Sequence, residues 1–354
     1  METKQHDTYM GRCLDLAQNG RGYVAPNPMV GAVIVHNNRI IGEGYHARYG
    51  EAHAEVNAIN SVKDKQLLKE STLYVSLEPC THFGKTPPCT NRIMEEGIPR
   101  VVVAMIDPNP VVSGKGIEVL RQNGVEVTVG IREDEAKELN RAYITYQTKQ
   151  RPYVVLKWAQ TLDGYIDRYR ANDECEWITN ERARMLVHKW RSEHPAIMVG
   201  TNTVEADNPR LNVRCWSGHN PLRVVVDRRL RLPAKANVFD GSQPTLLITG
   251  NNSHALTRRN EFAGIEGLEI ISMDFAKEVE VQILKELAQR RVTSMLVEGG
   301  GAFISSFVKK NLWDEARVFV GNKFFGGGIS APTVAGNLHS YDQIGDSKLF
   351  IYRR

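Results

Sequence analysis

Short β-rich apolar runs recur along the chain, and stretches with helical periodicity stand between most of them. A layered α/β architecture is what such alternation builds. Over Asp7–Asn19, Met10, Leu14 and Ala17 recur at i, i+4 and i+7, and Gly20 follows, so a helix is expected there. MVGAVIV (29–35) and RIIGEGY (39–45) then predict a hairpin through His36, Asn37 and Asn38. Helical patterns over 52–62, 89–97 and 114–124 alternate with strands over 71–79, 100–106 and 125–130, and one long helix is expected over 132–147. The polar junction TKQRP (148–152) closes this half with a proline. Beyond it the alternation resumes without a sequence repeat. Strands are expected over 153–159, 196–200, 222–227, 245–250, 267–273 and 294–298, and helices over 180–194, 277–290 and 302–310. The runs at 315–321 and 348–354 read as antiparallel members that finish the second sheet. A chain of 354 residues exceeds one ordinary domain, so two α/β domains, 1–148 and 149–354, are expected.

Composition narrows the functional classes. The 45 basic and 41 acidic residues are spread along the chain, and the formal charge is only +4. No clustered basic stripe offers an extended nucleic-acid surface. METKQHDTYM has neither the apolar core nor the cleavage site of a secretion signal, and no apolar stretch approaches the ~20 residues of a membrane span. The five cysteines, odd in number, are expected to be reduced thiols of a cytoplasmic protein.

Two of those cysteines bracket PCTHFGKTPPC (79–89), and GEAHAEV upstream places His53 and Glu55 two positions apart at a helix start. One imidazole and two thiolates, from Cys80 and Cys89, supply three ligands of a tetrahedral zinc and leave the fourth position for water, the arrangement of a catalytic site. A bound water ionises to hydroxide near neutral pH, and a carboxylate beside it can carry the proton to a leaving amine. His-x-Glu followed by Pro-Cys is the pattern of zinc deaminases, although their second cysteine usually comes three positions after the first rather than nine. A disulfide loop, and a closed structural zinc with His82 as fourth ligand, are the competing readings; the closed site gives Glu55 no purpose. In the second half, LVEGGGAFISSF sets three glycines between a buried strand and a helix. This is either a packing turn or a phosphate seat at a helix N-terminus, and it does not match the G-x-G-x-x-G fingerprint.

PNPMVGAVIV, GEAHAE, SLEPCTHFGKTPPC and DPNPVVSGKG together resemble the deaminase half of the bifunctional deaminase/reductase of riboflavin biosynthesis, the diaminohydroxyphosphoribosylaminopyrimidine deaminase/reductase. That family has the same long C-x8-C spacing. KWAQTLDGYI, WIT, VGTNTVEADNPRLNVR and LVEGGGAF are similar to its reductase half, so the resemblance spans nearly the whole chain. It implies a cytidine-deaminase-like three-layer domain followed by a dihydrofolate-reductase-like domain, with Zn2+ and NADPH as cofactors. The implied substrate is a small-molecule pyrimidine ribosyl phosphate, deaminated at C2 by zinc hydroxide and then reduced from ribosyl to ribityl. Neither nucleic acid nor a membrane is implied, and a homo-oligomer is.

Carried over by position, the resemblance makes His53, Cys80 and Cys89 zinc ligands and Glu55 the acid/base. Asn27 and His82 are expected at the pyrimidine, with Gly84 and Lys85 lining the same pocket. Ala159, Trp177, Thr203 and Asp207 are expected against the dinucleotide, and Gly300, Gly301, Ala302, Phe303, Ile304, Ser305 and Ser306 along its phosphates. Arg228 is a candidate for its 2′-phosphate. Lys157, Cys175, Arg191, Leu211, Arg214 and Glu298 match substrate positions, with Arg191 and Arg214 suited to clamp the ribose phosphate. Two positions depart from the pattern. Thr161 stands where serine is usual and keeps the hydroxyl; Cys175 stands where a small hydroxyl residue is usual and loses a strong hydrogen bond. An inactive second half, an RNA-editing deaminase and a non-enzymatic zinc protein are the other readings. The last would not need Glu55, and the RNA reading lacks a basic patch with stacking aromatics.

Overall fold

The computed structural model describes residues 2–81, 87–169 and 176–354. The chain gathers into two compact units, Met1–Gln150 and Arg151–Arg354.

In the first unit, α1 (Glu2–Gln18) precedes the hairpin of β1 (Gly31–His36) and β2 (Arg39–Tyr45). Asn37 and Asn38 turn it in the left-handed region, φ 47° and 61°, a conformation asparagine tolerates. There follow α2 (Ala54–Ser61), β3 (Thr72–Val75), α3 (Cys89–Glu95), β4 (Arg100–Val103), α4 (Lys115–Gln122), β5 (Glu126–Val129), α5 (Glu133–Leu139) and α6 (Arg141–Lys149). The sheet order is β2-β1-β3-β4-β5, antiparallel through β1 and parallel from β3 onward. Period-two alternation builds three layers. Ala32, Ile34, Leu73, Val75, Val101 and Val103 face one core with Ala54, Ile59 and Ile93, whereas Val33, Tyr74 and Val102 face another with Met10, Leu14 and Ala136. The first helix begins earlier than its apolar pattern, because polar residues extend it toward the terminus.

The long helix expected over 132–147 is two helices that meet at Asn140. The Asn140 amide accepts the backbone N–H of Met29 and donates to its carbonyl, both at 2.9 Å. A partner 111 residues away therefore decides where the helix stops.

The second unit runs β6 (Tyr153–Gln160), β7 (Tyr165–Asp167), α7 (Glu181–Glu193), β8 (Ala196–Gly200), α8 (Thr201–Asp207), β9 (Leu222–Val226), β10 (Thr245–Thr249), α9 (Ser253–Arg258), β11 (Leu268–Ser272), α10 (Val279–Gln289), β12 (Ser294–Val297), α11 (Gly301–Lys309), β13 (Glu315–Val320), β14 (Ile329–Ser330), β15 (Asn337–Ile344) and β16 (Ser347–Arg353). Nine strands form one sheet in the order β11-β10-β9-β8-β12-β6-β13-β16-β15. It is parallel from β11 to β13 and closes with antiparallel β16 and β15. Its central strands are buried on both faces, which is why they read as nearly continuous apolar runs. No helix among the described residues is long and apolar enough to cross a membrane.

Removing the Asn140 side chain takes away the partner of two part-buried backbone groups of Met29. Asn140→Ala is expected to destabilise the first unit by roughly 2 kcal/mol, seen as a lower midpoint in urea unfolding.

Candidate functional site

Local structure places both halves of the first constellation at helix starts. His53 is the N-terminal cap of α2, which puts Glu55 in its first turn, and Cys89 opens α3 after Pro88. Cys80 lies in the segment that leaves β3. The ends of that segment are tied together: Thr90 donates to the Cys80 carbonyl from both its backbone N–H and its hydroxyl, each at 3.2 Å, and the Cys89 N–H donates to Cys80 Sγ at 3.4 Å. His53 Nδ1 comes 3.3 Å from Cys89 Sγ and 3.6 Å from Cys80 Sγ, and the three ligand atoms all lie within 4.8 Å of one another. Tetrahedral zinc, with Zn–N about 2.05 Å and Zn–S about 2.3 Å, separates nitrogen and sulfur by about 3.6 Å. The donor set and its spacing fit zinc.

Without a metal, electrostatics separates the two thiols and favours the ligand form of Cys80 alone. The Cys80 thiol is held down at about 4, first by its hydrogen bond with the Cys89 thiol and then by His53. Cys89 moves up, through the same hydrogen bond and its burial. His53 is raised by its bond to Cys80. Glu55 is buried beside Cys89, and burial pushes its carboxyl up to about 7. A carboxyl balanced near neutrality can both take and return a proton.

Asn27 donates through Nδ2 to His46 Nε2 at 3.1 Å. Because His46 Nδ1 donates to the Ala52 carbonyl at 3.1 Å, Nε2 is the acceptor, and the Asn27 amide is oriented by it. His46 packs edge-on to His53 with ring centroids 5.3 Å apart. Glu78 has a related role that its position before Pro79 and Cys80 hinted at but did not reveal. Its buried carboxylate accepts backbone N–H groups from Asp107 (3.1 Å), Gly114 (2.9 Å), Gly116 (2.8 Å) and Ile117 (3.3 Å). The DPNPVVSGKG segment is thereby fastened beneath the cysteine segment. A Cβ on Gly116 would stand 2.1 Å from the Pro79 carbonyl, so only glycine fits. His82, Gly84 and Lys85 lie outside the described residues.

In the second unit a cavity of about 1040 Å³ opens at the carboxyl ends of the central strands. Lys157, Ala159, Trp177, Thr203, Asp207 and Arg228 line it, as do Arg191, Leu211, Arg214 and Glu298. From the glycine-rich start of α11, Gly300, Gly301, Ala302, Phe303 and Ser306 also line it; Ile304 is instead fully buried in the core, and Ser305 does not reach the cavity. Thr203 accepts the Gly300 N–H at 2.8 Å, which joins α8 to the glycine turn. Trp177 is 53% exposed rather than a core residue, with the Arg184 guanidinium 4.6 Å over its ring. Cys175 lies outside the described residues. Thr161 donates to Asp163 at 2.5 Å and accepts the Tyr165 N–H at 3.0 Å, which keeps the hydroxyl inside its own turn.

The charges at the floor of this cavity are paired in a way the motifs do not disclose. Arg191 donates to both oxygens of Glu298, at 2.8 and 2.9 Å, and to the Asn212 carbonyl at 3.2 Å. Lys157 adds a contact to Glu298 at 3.5 Å. Most of the Arg191 fork is thus engaged by a carboxylate, whereas Arg214 is hydrogen-bonded to the Asn212 side chain and has no carboxylate partner among the described residues. Burial alone would raise Glu298, but Arg191 and Lys157 reverse this and hold it at about 2.

A zinc-ligand cluster in one α/β unit and a nucleotide-sized cavity in the next define a two-site enzyme architecture. Residues 3–105 match the cytidine and deoxycytidylate deaminase zinc-binding region, and residues 152–341 match the RibD C-terminal domain. The riboflavin biosynthesis protein RibD of Aquifex aeolicus is 43% identical over 324 residues, covering 91% of this chain and 88% of that one. The solved deaminase/reductase of Thermotoga maritima, titled diaminohydroxyphosphoribosylaminopyrimidine deaminase/5-amino-6-(5-phosphoribosylamino)uracil reductase, is 38% identical with a TM-score of 0.87, covering 100% of this chain and 99% of that one. Acinetobacter baumannii RibD is 33% identical with a TM-score of 0.86, covering 99% of each chain. The chain belongs to the RibD family. Its two units are the cytidine-deaminase-like and reductase folds of that family.

The Glu298 pairing has a pH signature. Its folded pKa of about 2 lies below the ordinary 4.5, so the ionised carboxylate contributes stability that is present above pH 4.5 and is lost as pH falls toward 2. Glu298→Gln is expected to cost about 3 kcal/mol or more near neutrality, since Arg191 and Lys157 lose their counter-charge. Urea unfolding across this range should show the acid-dependent loss in the parent protein and a flatter profile in the variant.

Proposed function

We propose that the chain carries out two successive steps of riboflavin biosynthesis. The first is hydrolytic deamination of 2,5-diamino-6-ribosylamino-4(3H)-pyrimidinone 5′-phosphate, and the second is NADPH-dependent reduction of the ribosyl group to ribityl. The deamination is assigned to residues 1–148 and the reduction to 149–354. The observation that carries the reading is the His53–Cys80–Cys89 cluster at zinc-ligand separations with Glu55 buried against it.

Zinc, when bound, supplies a readily ionised water and a Lewis-acid centre. Glu55 takes the proton of the attacking water and delivers it to the departing amine, so that water and the amino-pyrimidinone become the carbonyl product and ammonia. Asn27, its amide held by His46, offers a ring-edge contact, and His82 and Lys85 fall in the stretch expected over the substrate. Burial of Glu55 keeps its proton affinity close to that demanded by both transfers.

NADPH, when bound, would supply the hydride for reduction at C1 of the opened, imine-like ribose. Fifteen residues of the sequence reading that line the cavity supply its walls. Trp177, Thr203 and Asp207 are assigned to the dinucleotide, with Arg228 at the 2′-phosphate and the start of α11 along the pyrophosphate. Arg214 is assigned to the ribose phosphate. Arg191 contributes its remaining N–H groups and fixes Glu298. The reading extends to a cytoplasmic homo-oligomer, an expectation from the family that sedimentation of the purified protein would test.

Ammonia release and NADPH oxidation, followed separately, test the two steps. Glu55→Gln is expected to keep its zinc and lose ammonia release by about 10²–10⁴-fold, while NADPH oxidation on the deaminated substrate stays within about twofold. Chelation should separate the steps in the same way. Absence of ammonia from zinc-replete protein would overturn the first assignment, and ammonia without NADPH oxidation would overturn the second.

A further inference from the structure

α7 turns one face to the cavity, with Arg184, His188 and Arg191 at i, i+4 and i+7. Of the three, neither Arg184 nor His188 belongs to a motif. The His188 side chain is buried, and Nδ1 accepts the backbone N–H of Arg214 at 3.4 Å. One turn on, Arg191 donates to the carbonyl of Asn212, so the helix grips the segment 212–214 at two backbone groups. The same segment is held from outside by Asn220, which accepts the Val213 N–H at 2.7 Å, and by the wholly buried Arg223, which donates to the Arg210 carbonyl at 2.9 Å. Between these anchors Leu211 adopts φ 55°, a left-handed conformation that a leucine keeps only where its surroundings impose it. What the bracing delivers is the Arg214 guanidinium, tied to the Asn212 side chain at 3.2 Å and facing the cavity without a carboxylate partner among the described residues.

We propose that His188 is a positioning residue for reduction, holding the backbone of Arg214 so that its guanidinium meets the anionic end of the substrate. This rests on the assignment of the second unit to ribosyl phosphate reduction. The role needs an unprotonated Nδ1. Burial, and the positive charges of Arg191 and Arg214, hold the imidazole down at about 4, so Nδ1 remains an acceptor at neutral pH. The proton is then on Nε2, and the two ring nitrogens can be separated by substitution. Asparagine places an acceptor where Nδ1 stands; glutamine places its polar group nearer Nε2.

The test is steady-state reduction of the deaminated ribosyl phosphate by the full-length chain. His188→Leu is expected to raise KM for that substrate roughly five- to tenfold, the effect of one lost hydrogen bond, with kcat and the KM for NADPH within about twofold. His188→Asn should restore the KM, and His188→Gln should not. In an Arg214→Met background, His188→Leu should add nothing. The proposal is overturned if His188→Leu leaves KM unchanged, if glutamine rescues where asparagine does not, or if the effect persists without Arg214. Should the leucine variant fail to fold, the asparagine and glutamine variants decide by themselves. Lack of NADPH oxidation by the parent protein would instead refute the assignment of the second unit.

Discussion

A parallel strand covered by helices on both faces can present polar chemistry only where it ends. That constraint organises both units. β3 ends at Val75, and the chain beyond it supplies Glu78 and Cys80; β12 ends at Val297, followed at once by Glu298 and the glycine turn. β8 runs through Gly200 directly into α8 and Thr203. The helices that cover the faces begin at the same edge, so orphan backbone N–H groups gather where thiolates, carboxylates and phosphates are wanted. His53 and Cys89 stand at such starts, and so does Gly300.

Glu55, Glu78 and Glu298 show how much the surroundings, rather than the residue type, decide what a carboxylate does. Glu78 is surrounded by backbone N–H donors and serves as a structural clamp. Glu298 meets two cations and stays ionised, with its carboxyl at about 2. Among the described residues Glu55 has neither a guanidinium nor an ammonium against it, and desolvation dominates, leaving it at about 7. A proton carrier requires the last of these environments, whereas an anchor requires one of the first two.

Much of this was legible in the sequence because it is local. Period-two and period-3.6 patterns disclosed most buried strands and helices, and the zinc-ligand types and spacings drew attention to His53, Cys80 and Cys89. What escaped was set by distant partners or by exposure. The helix break at Asn140 depends on Met29, and no local breaker marks it. β15 escaped because most of its residues are exposed and polar, so it carries no apolar run. His46, Glu78 and His188 act on other residues through one or more hydrogen bonds each, and such a bond leaves no periodicity behind. The Arg191–Glu298 fork joins residues 107 positions apart, so either one alone reads as a plain ligand for substrate.

The nine-position separation of Cys80 and Cys89 has a physical explanation in the bonds at its two ends. Thr90 holds the Cys80 carbonyl, and the Cys89 N–H holds the Cys80 sulfur, so the approach of the two thiols does not depend on the length of chain between them. The entropic cost of closing a loop rises only with the logarithm of its length, about 0.6 kcal/mol for each doubling. A longer spacing is therefore compatible with the ligand geometry of the short deaminase pattern. The approach of the two cysteines is set by the hydrogen bonds at the two ends of the segment.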